Sequence, residues 1–134
     1  MKQLSKFSVD PATWVVLAGI SAALHVGKLS PAVPVLREAL GVTLLEAGFL
    51  LSTVQLAGMA LGLLMGLLAD GMGLRRSLLS GLLLLGLSSV LGAWARDAVD
   101  LLVLRGLEGL GFLLVAMPAP GLIRRLVQPE RLSI

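Results

Sequence analysis

The chain has 134 residues, with no cysteine and no tyrosine, a single histidine, and charge on only 14% of its positions. Without cysteine there can be no disulfide and no thiolate metal ligand, and one histidine leaves a zinc site short of ligands. No nucleophile–base pair or metal cluster stands out, so the sequence gives no support for an enzyme and none for a cofactor. Charge is also missing in blocks: Ala47 to Ala69 has none, and neither has Ser77 to Ala95. About 20 apolar residues, rising 1.5 Å each, cross the hydrocarbon of a bilayer. What fills the gap is apolar, at 57% hydrophobic residues and a mean hydropathy of +0.96. A soluble core of this size cannot hide several unbroken spans. The chain reads as an all-α, polytopic membrane protein without a separate soluble domain.

Four transmembrane helices can be drawn, over about residues 11–36, 44–69, 77–95 and 100–123. Asp10-Pro11 opens the first, an acid at the N-cap followed by proline at the first helical position. His25, Lys28, Pro31 and Pro34 interrupt its second half, which predicts a kink. Thr43 and Glu46 have the spacing of a capping box at the start of the second. Asp97 and Asp100 suit the N-terminus of the fourth, where the helix dipole favours negative charge. Pro118, Pro120 and Gly121 loosen its far end.

Basic residues set the direction. The sequence pI of 10.2 could suggest nucleic acid, but the cations are scattered around helix ends and form no stripe. Lys2, Lys6, Arg75, Arg76, Arg124, Arg125 and Arg131 fall on one side of the four-span arrangement, and only Arg37 and Arg96 on the other. The positive-inside rule then places both termini and the Asp70–Arg76 turn in the cytoplasm. A multi-pass protein of the inner (plasma) membrane follows. A cleaved signal peptide fits the N-terminus less well, because Asp10 and Pro11 overextend the basic leader and three more spans follow.

Glycines mark the second span: Gly58, Gly62 and Gly66 recur every four residues. That register lets another backbone approach one face of the helix. The turn that follows, Gly66-Leu67-Leu68-Ala69-Asp70-Gly71-Met72-Gly73-Leu74-Arg75-Arg76, holds a buried-looking aspartate and a basic pair. Gly66, Ala69, Asp70, Gly73, Arg75 and Arg76 resemble the G-x-x-x-D-R-x-G-R-[RK] signature of the major facilitator superfamily. Gly71 and Leu74 stand where that signature carries basic residues. Arg105-Gly106-Leu107-Glu108-Gly109-Leu110-Gly111 is similar to the superfamily's R-x-x-Q-G-x-G segment on its fourth helix, with Glu108 in place of glutamine. Pro129-Glu130-Arg131 resembles the loop that leads those proteins into a fifth helix. The stretches Leu29 to Pro34 and Leu40 to Thr43, with Gly48 and Ser52, resemble carriers of the cyanate/nitroimidazole-porter type.

The resemblance implies an N-terminal part of a twelve-helix transporter built from inverted three-helix repeats. It spans one repeat and the first helix of the next. It also implies that Gly66, Asp70, Gly73, Arg75 and Arg76 form a gating loop, and that the first and fourth helices line a central cavity. Ionisable groups inside a membrane are costly and point to function. His25 and Lys28 share one face of the first helix, and Arg105 and Glu108 one face of the fourth, each pair three residues apart. These four are candidates for substrate binding or proton coupling, unless Lys28 and Arg105 merely snorkel to the headgroups. Lys28 and Glu108 lie at similar depth, so they are expected to pair. Gly58, Gly62 and Gly109 are candidates for helix packing.

The implied function is secondary active transport of a small solute, with this stretch inactive until the missing C-terminal helices join it. Partners would be the lipid bilayer and a small-molecule substrate, anionic if the cationic surplus of the patch is a guide. The alternative is a small four-span membrane protein that acts by oligomerisation. A third reading is a four-helix exporter working as a dimer, similar to the small multidrug resistance proteins; those carry a glutamate in their first helix, where this chain has no acid beyond Asp10.

Overall fold

The computed structural model describes residues 10–127, and Lys2, Lys6 and the Pro129-Glu130-Arg131 segment lie outside them. Six helices follow one another: α1 (Pro11–Gly27), α2 (Leu29–Leu40), α3 (Leu44–Met72), α4 (Leu74–Gly92), α5 (Ala98–Ala116) and α6 (Pro118–Leu126). Their starts are fixed by local chemistry. Asp10 accepts the Ala12 amide at 3.1 Å, ahead of Pro11. At α3 the capping box is complete, with Thr43 Oγ1 accepting the Glu46 amide at 3.2 Å and Glu46 Oε2 accepting the Thr43 amide at 2.8 Å. Asp97 accepts the amide of Asp100 at 2.8 Å and caps α5.

Two of the four drawn spans are each two helices. The first divides at Lys28 and continues to Leu40, four residues beyond the limit of 36 read from the sequence. Pro31 and Pro34 supply the reason: each lacks the amide that would bond four residues back, to Gly27 and Ser30. The last divides at Met117, with Pro118 at the first position of α6. α3 runs to Met72 instead of 69, and α4 begins at Leu74 and ends at Gly92 instead of spanning 77–95. The α3–α4 turn is so tight that Gly73 is its only residue outside the helices. It adopts φ +85°, a conformation side chains rarely tolerate, so glycine there is a backbone requirement.

α5 is the central helix and packs chiefly on α4 and α3. One apolar cluster joins Val15, Ala18 and Ala22 of α1 to Leu78 and Leu85 of α4 and Val115 of α5. A second gathers Leu29, Val42, Ala47 and Leu50 around the α2–α3 turn, with Leu101 and Leu102 of α5 against it. Arg105 and Glu108 sit between the two clusters along α5. The closest backbone approach was not legible as a glycine repeat. A Cβ added to Gly81 of α4 would lie 2.7 Å from the carbonyl oxygen of Gly111 on α5. Ser77 tightens the same seam by donating to the Leu114 carbonyl at 3.0 Å. The α3 glycines are looser: Gly58 and Gly62 look onto Leu113 and Met117 at 3.8 Å, and Gly66 has nothing within 4 Å. Gly109 is the tight partner there, its added Cβ lying 3.1 Å from Ala57.

The molecule is apolar outside and polar at points inside. Met59 and Leu63 are 85% and 80% exposed, whereas Ser77, Ser88, Arg105 and Glu108 are buried. Water would oppose that distribution, and hydrocarbon accepts it. Among the described residues three stretches are long and apolar enough to cross a membrane: Pro11–Leu40, Leu44–Met72 and Leu74–Gly92. α5 differs by carrying Asp100, Arg105 and Glu108.

Candidate functional site

The break after Gly27 brings the end of α1 beside the middle of α5, and a four-residue polar cluster fills the junction. Arg105 and Glu108, one turn apart on α5, are both about 96% buried. Nη1 of Arg105 donates to Glu108 Oε2 at 2.6 Å. The same guanidinium donates to two carbonyls at the end of α1, His25 O at 3.0 Å and Val26 O at 2.5 Å. The other carboxylate oxygen of Glu108 accepts from Lys28 Nζ at 2.5 Å. Lys28 Nζ also donates to Ser89 Oγ of α4 at 2.7 Å. One cluster thus ties the α1–α2 junction, α4 and α5 together.

An isolated ion here would be expensive, costing several kcal/mol even after relaxation. Glu108 therefore needs its two cations, and the α1 carbonyls spread the charge of Arg105 further. With all three groups ionised, the cluster carries a formal charge of +1. Two features show spare capacity. The Lys28 side chain stays 40% exposed, so one cation reaches the outside while its partner carboxylate is enclosed. Arg105 Nε is buried with no hydrogen-bond acceptor, a donor that an anion or water could take.

Of the candidate residues, Lys28, Arg105 and Glu108 meet. His25 does not bring its ring to them: Nδ1 donates to the Ser21 carbonyl at 2.9 Å within its own helix, and His25 enters the cluster through its backbone oxygen. Ser89 is the member that sequence reasoning missed. A serine in an apolar helix carries no distinguishing signal, and only the approach of α4 to Lys28 reveals it.

The loop residues form a second, separate group at the opposite end of α1. Asp70 looked buried in the sequence but is exposed, because it projects from the last turn of α3 past the packed Ala69. Arg75 and Arg76 are exposed too, and Asp70 forms no ion pair with any described residue. Met72, Gly73, Arg75 and Arg76 border a cleft with Pro11 and Trp14 of α1 and Arg125 of α6, so the start of α1, the α3–α4 turn and the end of α6 share one end of the bundle. Among the described residues no cluster of His, Asp or Glu could hold a metal.

Apolar helices around buried ionic groups define a multi-pass membrane protein. The chain matches the family model for the Major Facilitator Superfamily over residues 15–134 and belongs to that family. No curated protein and no solved structure matches it.

Proposed function

We propose that this chain is the N-terminal part of a secondary active transporter for a small anionic solute, with the Lys28–Glu108–Arg105 cluster as part of its substrate or proton-coupling site. The observation that carries this reading is an ion cluster of two cations and one enclosed carboxylate, with one cation exposed and one donor unused. An incoming anion could take Lys28 from Glu108 and the Nε–H of Arg105 together, so binding and a change in the α1–α5 contact would be coupled. His25 stands next to the cluster as a secondary candidate. The α5–α6 stretch is the fourth span, its three ionisable groups tolerated because two face the bundle interior and Asp100 sits at the helix start. The narrower likeness to cyanate/nitroimidazole porters rests on the α2–α3 residues alone and remains part of this proposal. Gly66, Asp70, Gly73, Arg75 and Arg76 would act as the gating loop once the opposing half is present.

The test is uptake of labelled inorganic anions and monocarboxylates into proteoliposomes holding the carrier encoded by the whole reading frame. Saturable uptake should fall at least tenfold in Lys28→Met and in Glu108→Gln, and strongly in Asp70→Asn, with insertion unchanged. Lys28→Met transporting as well as the parent would remove the cluster from the mechanism. Uptake by the 134-residue chain alone would overturn its being a fragment and favour a self-assembling four-span protein.

Orientation has its own expected result. Arg75, Arg76, Arg124 and Arg125 outnumber Arg37 and Arg96, so the positive-inside rule turns the Asp70–Arg76 end of the bundle towards the cytoplasm of the inner membrane. Reporter fusions after Arg76 and Arg125 should report cytoplasm, and fusions near Glu38 and Asp97 the opposite side. Reversed signals at both pairs would overturn the topology.

A further inference from the structure

The cleft at the arginine-rich end of the bundle differs in kind from the ion cluster. It has a volume of about 860 Å³ and lies between α1, the start of α4 and α6. That is within the roughly 300–1,000 Å³ of typical small-molecule sites. Its walls are apolar, with Trp14 and Val15 on one side and Leu78, Leu79 and Leu82 on the other. Arg75, Arg76 and Arg125 line it as well, and all three are exposed. None of them pairs with a carboxylate among the described residues. From Leu74 to Leu82 the cleft follows α4 for about 12 Å at 1.5 Å per residue. The arginines stand at helix ends, hence at headgroup level, while the leucines run inward to acyl-chain depth.

We propose that this cleft binds an anionic phospholipid, its phosphate held by Arg75, Arg76 and Arg125 and one acyl chain laid along Trp14, Leu79 and Leu82. Basic pockets between membrane helices recognise anionic headgroups through charge, and the apolar wall adds the chain. Guanidinium groups suit the task because their planar forks bond phosphate oxygens in pairs. A second copy of the chain fits less well. A two-fold contact through this face would set the same three arginines against themselves, with no carboxylate in the cleft lining to relieve them. A zwitterionic lipid leaves the three cations without matching net charge.

The experiment is native mass spectrometry of the purified 134-residue chain in detergent, titrated with phosphatidylglycerol and with phosphatidylcholine of identical chains. Phosphatidylglycerol should be retained about tenfold more strongly, because each arginine near an anionic headgroup favours it several-fold. The preference should disappear in the Arg75→Gln/Arg76→Gln/Arg125→Gln variant and persist when the same positions become lysine. Glycerol phosphate, which has the headgroup without chains, should not displace the lipid. Equal retention of the two lipids, or an undiminished preference in the glutamine variant, overturns the proposal. So does displacement by glycerol phosphate, or a dimer that forms to the exclusion of lipid. If the glutamine variant folds poorly by circular dichroism, salt decides with the unaltered chain: a preference that fades as ionic strength rises supports the site, and a salt-indifferent one refutes it.

Discussion

Arg105→Met is expected to destabilise the folded bundle by about 3–5 kcal/mol, the range for removing one partner of a buried ion pair. The substitution takes away the buried cation beside Glu108 and leaves that carboxylate to Lys28, which is 40% exposed. It also strips donors from the His25 and Val26 carbonyls at the α1–α2 break. Methionine replaces the volume but none of these bonds. Two companion variants separate charge from packing. Arg105→Met/Glu108→Leu should recover much of the loss, since removing both charges also removes the unpaired carboxylate. Lys28→Met should lose less than Arg105→Met, because Glu108 keeps its buried partner and the cation removed is the exposed one. Reversible unfolding in a mixed-detergent titration reads all three. An Arg105→Met variant within about 0.5 kcal/mol of the parent, the spread of ordinary surface changes, would show that the cluster does not hold the helices together.

The second large effect is expected at Gly81, where alanine should destabilise although it is the better helix former. Replacing a mid-helix glycine by alanine gains roughly 0.5–1 kcal/mol when the site is open. At Gly81 the new Cβ would lie 2.7 Å from the Gly111 carbonyl oxygen, 2.8 Å from Val115 Cγ2 and 2.9 Å from Leu114 Cβ. Backbone on the far side cannot rotate away, so α4 and α5 must separate along their whole seam. Forced overpacking of this kind costs about 1–3 kcal/mol, which exceeds the propensity gain. In lipid the loss counts fully, because close packing rather than water exclusion holds membrane helices together. Gly86→Ala is the control: nothing lies within 4 Å of its added Cβ, and it should be neutral or slightly stabilising. If Gly81→Ala and Gly86→Ala shift the unfolding midpoint alike, the α4–α5 seam is not the close contact described.

Gly81 also shows where a glycine pattern misleads. The repeat Gly58, Gly62 and Gly66 is regular along α3, yet its tightest neighbours are side-chain tips at 3.8 Å. Gly81 and Gly111 form no repeat within either helix, and their closeness depends on how two helices cross. Gly109, beside Arg105 and Glu108, packs against Val54 and Ala57 of α3. Spacing within one helix says which face is smooth; it cannot say which smooth face is used.

By itself the sequence determined what depends on neighbours along the chain. Long uncharged runs demand helices because hydrocarbon leaves no other partner for the backbone amides. The cap at Asp10 and the Thr43–Glu46 box involve residues within three positions of each other, so their chemistry could be read directly. Proline positions announced a disturbance in the first span, though not that it becomes a division at Lys28. Depth counting brought Lys28 and Glu108 to the same level, and they meet at 2.5 Å. Tertiary structure decided the rest. It turned the His25 ring back onto Ser21, brought Ser89 to Lys28, left Asp70 exposed and gave Arg105 two carbonyls from another helix. Apart from the His25 ring, which finds a carbonyl one turn back in its own helix, each of those outcomes depends on the rotation of a helix about its axis relative to a partner many residues away. In a bilayer such rotations are set by packing between helices, since lipid treats every apolar face alike.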